Sequence, residues 1–329
     1  MKSLIVSKSL LISGGLFLST LAPTFGQVLY YGDDFDAGTS GSSWTALLSH
    51  ADASANFAFD YNSIGIPSAP KSTGGTTIGM RFLANQSAGV QQGISASPNG
   101  QSFTTDFRMS FDMWLNYNGP LLGGGNGTTQ IGSFGWGTSG ASVQWSGASS
   151  SIMFGATGDG GATQDYRLYR NNALVSPVTS PGTYAAGNTT TPDSRNASDP
   201  YYTSKFPSVS APAAQLSLYP AQTGSTAAGQ LGFAWHDVVI EKTGSTLTWS
   251  VDGFLMATTS ASGATLSGDN ILFGLFDINA ASSTEVNDFL ITAIYDNVRV
   301  TAVVPEPSTW AIAGICGGAA LLSRIRRRK

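Results

Sequence analysis

The chain has a single cysteine in 329 residues, Cys316, and it falls inside an apolar run near the C-terminus. The body before that run therefore has no disulfide and no cysteine-based metal site. Histidine is almost as scarce. His50 and His236 stand far apart and neither belongs to an H-E-x-x-H pattern, which excludes the usual zinc arrangements, and neither has Ser–Asp company readable as a triad. Glutamate occurs at positions 241, 285 and 306, never two residues from another acid. Charged residues make up 11% of the chain, against a typical ~25%.

The formal net charge of −4 hides an uneven distribution. Lys2 and Lys8 open the chain and five Arg or Lys close it. Between the ends stand nine basic residues against nineteen acids, a body near −10. Nucleic-acid binding needs a basic face and is excluded. The glycine run at 123–127 lacks a following Lys-Ser/Thr, so it is a loop and not a phosphate cradle. No amphipathic helix of ten residues or more is written in the body.

What the chain has is 40 glycines, 11% aromatic residues and abundant Ser, Thr and Asn, a composition that suits many short strands joined by polar turns. "FRMSFDMWLNY" (107–117) alternates, with Phe107, Met109, Phe111, Met113 and Leu115 on one side and Arg108, Ser110, Asp112 and Trp114 on the other. That is the period of a half-buried strand. Shorter runs read as strands at 28–31, 55–61, 130–137, 142–145, 151–156 and 165–170. "WHDVVIEKTGSTLTWSVDGFLMATT" (235–259) reads as a three-strand meander, its second turn carried by Asp252-Gly253, a dipeptide suited to two-residue hairpins. Two further strands are written at 270–278 and 289–302. Residues 171–230 are rich in Pro, Ser, Thr, Asn and Gly. They read as a long insertion with a short strand at 214–220, or alternatively as a linker between two domains.

Residues 1–26 read as a secretory signal, with a basic start, an apolar stretch from Leu10 to Leu21 and small residues before Gln27. At the other end, Pro305-Glu306-Pro307 precedes an apolar run from Trp310 to Leu322 and then Arg324, Arg326, Arg327, Arg328 and Lys329. Thirteen helical residues reach roughly 20 Å, short of a ~30 Å hydrocarbon core unless the arginines snorkel. This three-part order resembles the PEP-CTERM sorting signal of Gram-negative bacteria, many of them makers of exopolysaccharide. The resemblance implies an exosortase-type membrane enzyme as partner, cleavage near the motif, and Glu306 as a recognition residue.

The segment 235–253 and the closing "YDNVRV" (295–300) resemble the concanavalin A-like jelly roll of the LamG and lectin/glucanase type. The fold class expected is all-β, a two-sheet antiparallel β-sandwich over 27–303, flanked by the N-terminal signal helix and a C-terminal transmembrane helix. The resemblance implies that 30–36 pairs with 295–300. Glucanases of this fold carry an E-x-D-x-E run, which is absent here, so turnover is the less expected role; glycan contact, adhesion or matrix structure is the expected one. Candidate sugar-stacking residues are Trp114, Tyr117, Trp136 and Trp145, with Trp114 opposite the apolar side of its strand. Calcium, which takes oxygen ligands, is the implied ion, with Asp34, Asp36, Asp277 and Asp296 as candidate ligands; capping of turns by the same side chains is the alternative.

Overall fold

The computed structural model describes residues 27–119, 129–159, 162–175, 183–187, 194–280 and 287–303. The expected terminal helices, together with Pro305, Glu306, Pro307, Arg324, Arg326, Arg327 and Arg328, lie outside the described residues. Among the described residues no helix is long and apolar enough to cross a membrane.

In chain order the strands are β1 (Leu29–Asp33), β2 (Trp44–Leu48), β3 (Ser54–Asp60), β4 (Ile78–Leu83), β5 (Gln92–Pro98), β6 (Phe107–Asn116), β7 (Gln130–Thr138), β8 (Ile152–Thr157), β9 (Tyr166–Arg170) and β10 (Ala173–Leu174). Two short helices follow, α1 (Pro200–Thr203) and α2 (Ala213–Leu218). The chain then forms β11 (Trp235–Thr243), β12 (Thr246–Val251), β13 (Phe254–Ser260), β14 (Asn270–Asp277) and β15 (Thr292–Ala302). One sheet runs β13-β12-β11-β6-β15-β4-β3, with β1 paired to β15. The other runs β10-β9-β8-β7-β14-β5-β2. All pairings between strands are antiparallel, as the expected two-sheet sandwich requires.

The core forms where the alternating apolar faces meet. Phe111 of β6 sits at its centre, with ring centroids 5.1 Å from Phe134 and 4.8 Å from Phe273 on the facing sheet and 5.8 Å from Tyr295 of β15. Edge-to-face contacts of this kind add about 0.5–1.5 kcal/mol each to the burial of the rings. Phe107, Met109, Phe111 and Met113 are wholly buried and Leu115 nearly so, the face that the alternation marks.

Two strand assignments need correction. Residues 142–145 form a loop whose ladder contact is an isolated bridge between Trp145 and Ala148. Residues 214–220 do not extend as a strand; 213–218 are the helix α2. The reason is local. Pro212 at the N-cap has φ −57, already compatible with a helix start, and Ala-Ala-Gln-Leu follows. The turn also buries Gln215, whose Nε2 donates to Ile64 O at 3.0 Å and to Asn116 Oδ1 at 3.2 Å. The helix backbone presses on Gly65, which has φ +75 and where a Cβ would stand 2.3 Å from Gln215 N.

The described part of the 171–230 segment lies against the sandwich. Tyr166 and Tyr202 rings meet at 4.3 Å, and Tyr184 OH accepts from Leu168 N at 3.0 Å. Further along, Gln222 donates to Tyr117 O at 2.7 Å and to Gln215 Oε1 at 3.0 Å. These buried amides hold the segment over the outer face of β6.

Candidate functional site

The outer face of the β6 sheet carries three aspartates in one row. Asp112 on β6 is directly opposite Asp237 on β11 and Asp296 on β15. Like charges directly opposite are destabilising, so the row needs compensation, and the loop before β4 supplies it. Lys71 Nζ lies 3.2 Å from Asp112 Oδ1 and 2.5 Å from Asp237 Oδ1. The Lys71 backbone N–H donates to Asp112 Oδ2 at 3.1 Å, and Asn297 Nδ2 donates to the same oxygen at 3.0 Å.

Asp296 is held differently. Its Oδ2 accepts from Tyr61 OH and Ser72 Oγ, both at 3.0 Å, and its Oδ1 from Asn297 N at 2.7 Å. Loss of water on burial pushes its carboxyl up to about 7, against the opposing pull of those donors. The same burial, with Asp296 close by, raises the Tyr61 hydroxyl. Asp112 and Asp296 have 1% and 0% of their surface exposed, so neither can touch a substrate from solution.

A cleft of about 570 Å³ opens beside this network, floored by the β1–β15 pair and walled by the Lys71–Thr73 loop. Lys71 and Asn297 line it, while Asp112 and Asp296 sit behind them. A smaller space of about 400 Å³ also borders Leu29, against residues 101–105.

The proposed calcium ligands do not converge. Asp34 is exposed at the rim, Asp36 lies in the adjoining turn, Asp296 is saturated by three donors, and Asp277 belongs to the other sheet. Asp36 Oδ1 is shielded from solvent and unpartnered, one oxygen where a calcium ion needs six or more. Among the described residues no three His, Cys, Asp or Glu side chains gather as metal ligands. These residues do not fit a calcium ion. Asp277 accepts from Asn85 Nδ2 and Asn279 N, both at 2.8 Å, and burial pushes it up to about 7.

The four aromatic candidates are also placed apart, and three are buried. Trp114 is 2% exposed, covered by Trp235 at 5.6 Å, with its indole N–H given to Asn116 Oδ1 at 3.0 Å. Trp136 is in the inter-sheet core, its N–H on Phe103 O at 3.1 Å. Tyr117 packs on Phe233 at 4.5 Å and donates to Ser225 O. A ring with both faces covered cannot stack on a sugar. Trp145 is half-buried over Gly93, where a Cβ would stand 2.4 Å from the Trp145 Cβ.

The outer face of the β7 sheet shows no acid in its strands. Register places Ser95, Gly274, Ser133, Gly155 and Arg167 in one row across five strands. Beside the small Ser133 and Gly155, Tyr169 and Phe276, from β9 and β14, meet at 5.7 Å. Sequence reasoning also missed a His–Asp pair: His236 Nδ1 lies 2.8 Å from Asp252 Oδ2. Its Nε2 is buried with no hydrogen-bond partner, so no nucleophile completes a triad there.

The fold is thus a two-sheet antiparallel β-sandwich of jelly-roll type. The chain carries the PEP-CTERM protein-sorting motif over residues 303–328. That motif marks a protein exported and sorted through the membrane to the cell surface, and implies processing by exosortase, a membrane enzyme. No curated protein matches the chain. Among solved structures it is similar to an endo-1,3-β-glucanase from Streptomyces sioyaensis, at 15% identity over 87% of this chain and 100% of that chain, with TM-score 0.41. It is similar to a Bacillus licheniformis β-glucanase at 13% identity over 85% and 100%, TM-score 0.38. An endo-acting O-glycanase of the human gut microbiota gives 13% identity over 84% and 100%, TM-score 0.42. Likenesses of this size fix neither substrate nor reaction.

Proposed function

We propose that the chain is a cell-surface or extracellular-matrix protein of a Gram-negative bacterium. In this reading the sandwich over 27–303 contacts glycan, such as exopolysaccharide, without turning it over, and an exosortase-type enzyme releases it from a C-terminal anchor. The observation that carries the non-enzymatic reading is the state of the carboxylates. The acids that stand opposite one another, Asp112 with Asp237 and Asp296, are bridged by Lys71 or bonded by Tyr61, Ser72 and Asn297, and Asp112 and Asp296 are buried. Glycoside hydrolysis needs two carboxyl groups that flank the sugar bond.

The alternative is a carbohydrate-active enzyme on the same sandwich. A glycan array followed by a reducing-sugar assay on the bound polysaccharides separates the two. Binding without release of reducing ends is the expected result. Release of reducing ends would replace the binder with an enzyme.

A further inference from the structure

Two β-bulges border β15, one in its ladder with β1 and one in its ladder with β6. On β1, Leu29 pairs with Thr301 and Tyr31 with Val300, so Tyr30 is the extra residue. On β15, Asp296 pairs with Asp112 of β6 and Arg299 with Ser110, so Asn297 and Val298 together stand opposite Phe111 and β15 carries one extra residue. A bulge breaks the ladder and re-aims a side chain. Here Tyr30 is thrown out to 41% exposure, and Asn297, at φ +53, turns toward the cleft while bonding Ser72 and Asp112. The two clefts, of about 570 and 400 Å³, both border Leu29 of β1, and we take them together as one candidate groove.

The groove's chemistry selects its ligand. Asp33, Asp34, Lys71 and Arg299 line the larger half, two charges of each sign, so a polyanion or a polycation gains no net attraction. Asp33 is already spent on Trp44 Nε1 and Ser40 Oγ, both at 2.8 Å, and Lys71 on Asp112 and Asp237. That leaves Asp34 and Arg299, both exposed, as an acceptor and a donor for hydroxyls, next to Thr73. The smaller half offers Tyr30 as an aromatic platform beside Gln101 and Ser102. Polar donors and acceptors of balanced charge around an exposed ring suit an uncharged polyhydroxylated chain.

We propose that this groove, with Tyr30, Asp34 and Arg299 as its contact residues, is where the sandwich binds a neutral polysaccharide. The proposal rests on the glycan-binding reading and gives it a place. The test uses the full chain in mild detergent, labelled at Cys316, titrated with laminarin, dextran and hydroxyethyl cellulose, with alginate as the polyanionic comparison. Binding of at least one neutral glucan and none of alginate is expected. Tyr30→Ala and Arg299→Ala should each weaken it by about tenfold, equivalent to ~1.4 kcal/mol, with melting temperature unchanged. Asp34→Asn, which keeps an acceptor, should weaken it less than Asp34→Ala. If glucan binds and the Tyr30 and Arg299 variants bind as well as the parent, the groove is wrong while the glycan reading stands. If alginate alone binds, the neutral-ligand assignment falls. If no polysaccharide binds, both fall.

Discussion

Replacing Asp296 by Asn should make the protein more stable at pH 8 and leave it nearly unchanged at pH 4. Burial raises the Asp296 carboxyl from 3.8 to about 7, and Asp277 on the other sheet is raised alike. Between those values the folded chain binds a proton that the unfolded chain has already released. Stability is therefore fully present below pH ~4 and falls as pH rises through about 7. A three-unit shift corresponds to about 4 kcal/mol for one such group. For a domain of this size that is on the order of 10 °C in Tm. The amide imitates the protonated acid. Its oxygen still accepts from Asn297 N, and its NH2 can donate to the hydroxyls of Tyr61 and Ser72, whose oxygens lie 3.0 Å from Asp296 Oδ2. Thermal unfolding from pH 4 to 9 is the assay. The parent's Tm should fall across pH 4–7. Asp296→Asn should remove about half of that fall, Asp277→Asn another share, and the double variant should leave a nearly flat profile. Asp165, also raised by burial, contributes a remainder of the same sign. A parent profile that is flat, or a Tm gain in Asp296→Asn that is equal at pH 5 and pH 8, would refute the reasoning, because a gain that ignores pH cannot come from a carboxyl proton.

Phe111→Ala should cost about 3–5 kcal/mol, read as a lower urea midpoint with an unchanged slope, since it empties the meeting point of Phe134, Phe273 and Tyr295. Lys71→Met strands the buried Asp112 carboxylate; with a third of the lysine side chain exposed, the loss should be about 2 kcal/mol by the same urea measurement. Chelation with EDTA should leave Tm where it is, and a drop of several degrees would show that Asp36 or its neighbours hold a cation after all. Glu306→Ala should leave the precursor uncut in cells that contain the sorting enzyme, visible as a band retaining the C-terminal tail on a blot.

The elements legible in the sequence are those whose information is local. The alternation at 107–115 marks the buried side of β6, the Asp252-Gly253 turn marks the β12–β13 hairpin, and the expected pairing of 30–36 with 295–300 appears as Asp33 opposite Val298. What sequence hid is long-range. Trp114 stands on the polar side of β6, yet it is buried because Trp235 and Tyr61 cover that side. The aspartate row depends on the registers of β11, β6 and β15, which no period reveals, although the alternation does place Asp112 on the outer side. Tyr30 stands at a one-residue bulge, and bulges leave no mark in hydrophobic periodicity.

The β1–β15 pair also decides where a bound glycan would lie relative to the rest of the chain. Both ends of the sandwich leave from this pair, with Ala302 N donating to Val28 O at 2.8 Å. The sorting motif begins at residue 303. From Ala302 to Glu306 an extended chain reaches at most about 14 Å, so the proposed groove around Tyr30 is within that reach of the strand from which the sorting motif continues. In the proposed reading this part of the molecule is tethered toward the membrane before processing, and a long polysaccharide in the groove would crowd the enzyme that must reach Pro305–Pro307. Geometry therefore favours an order in which the tail is removed first and glycan is engaged afterwards. Saturating glucan should slow cleavage of the parent chain by reconstituted exosortase while leaving the Tyr30→Ala rate unaffected. Equal slowing of both would place the glycan elsewhere.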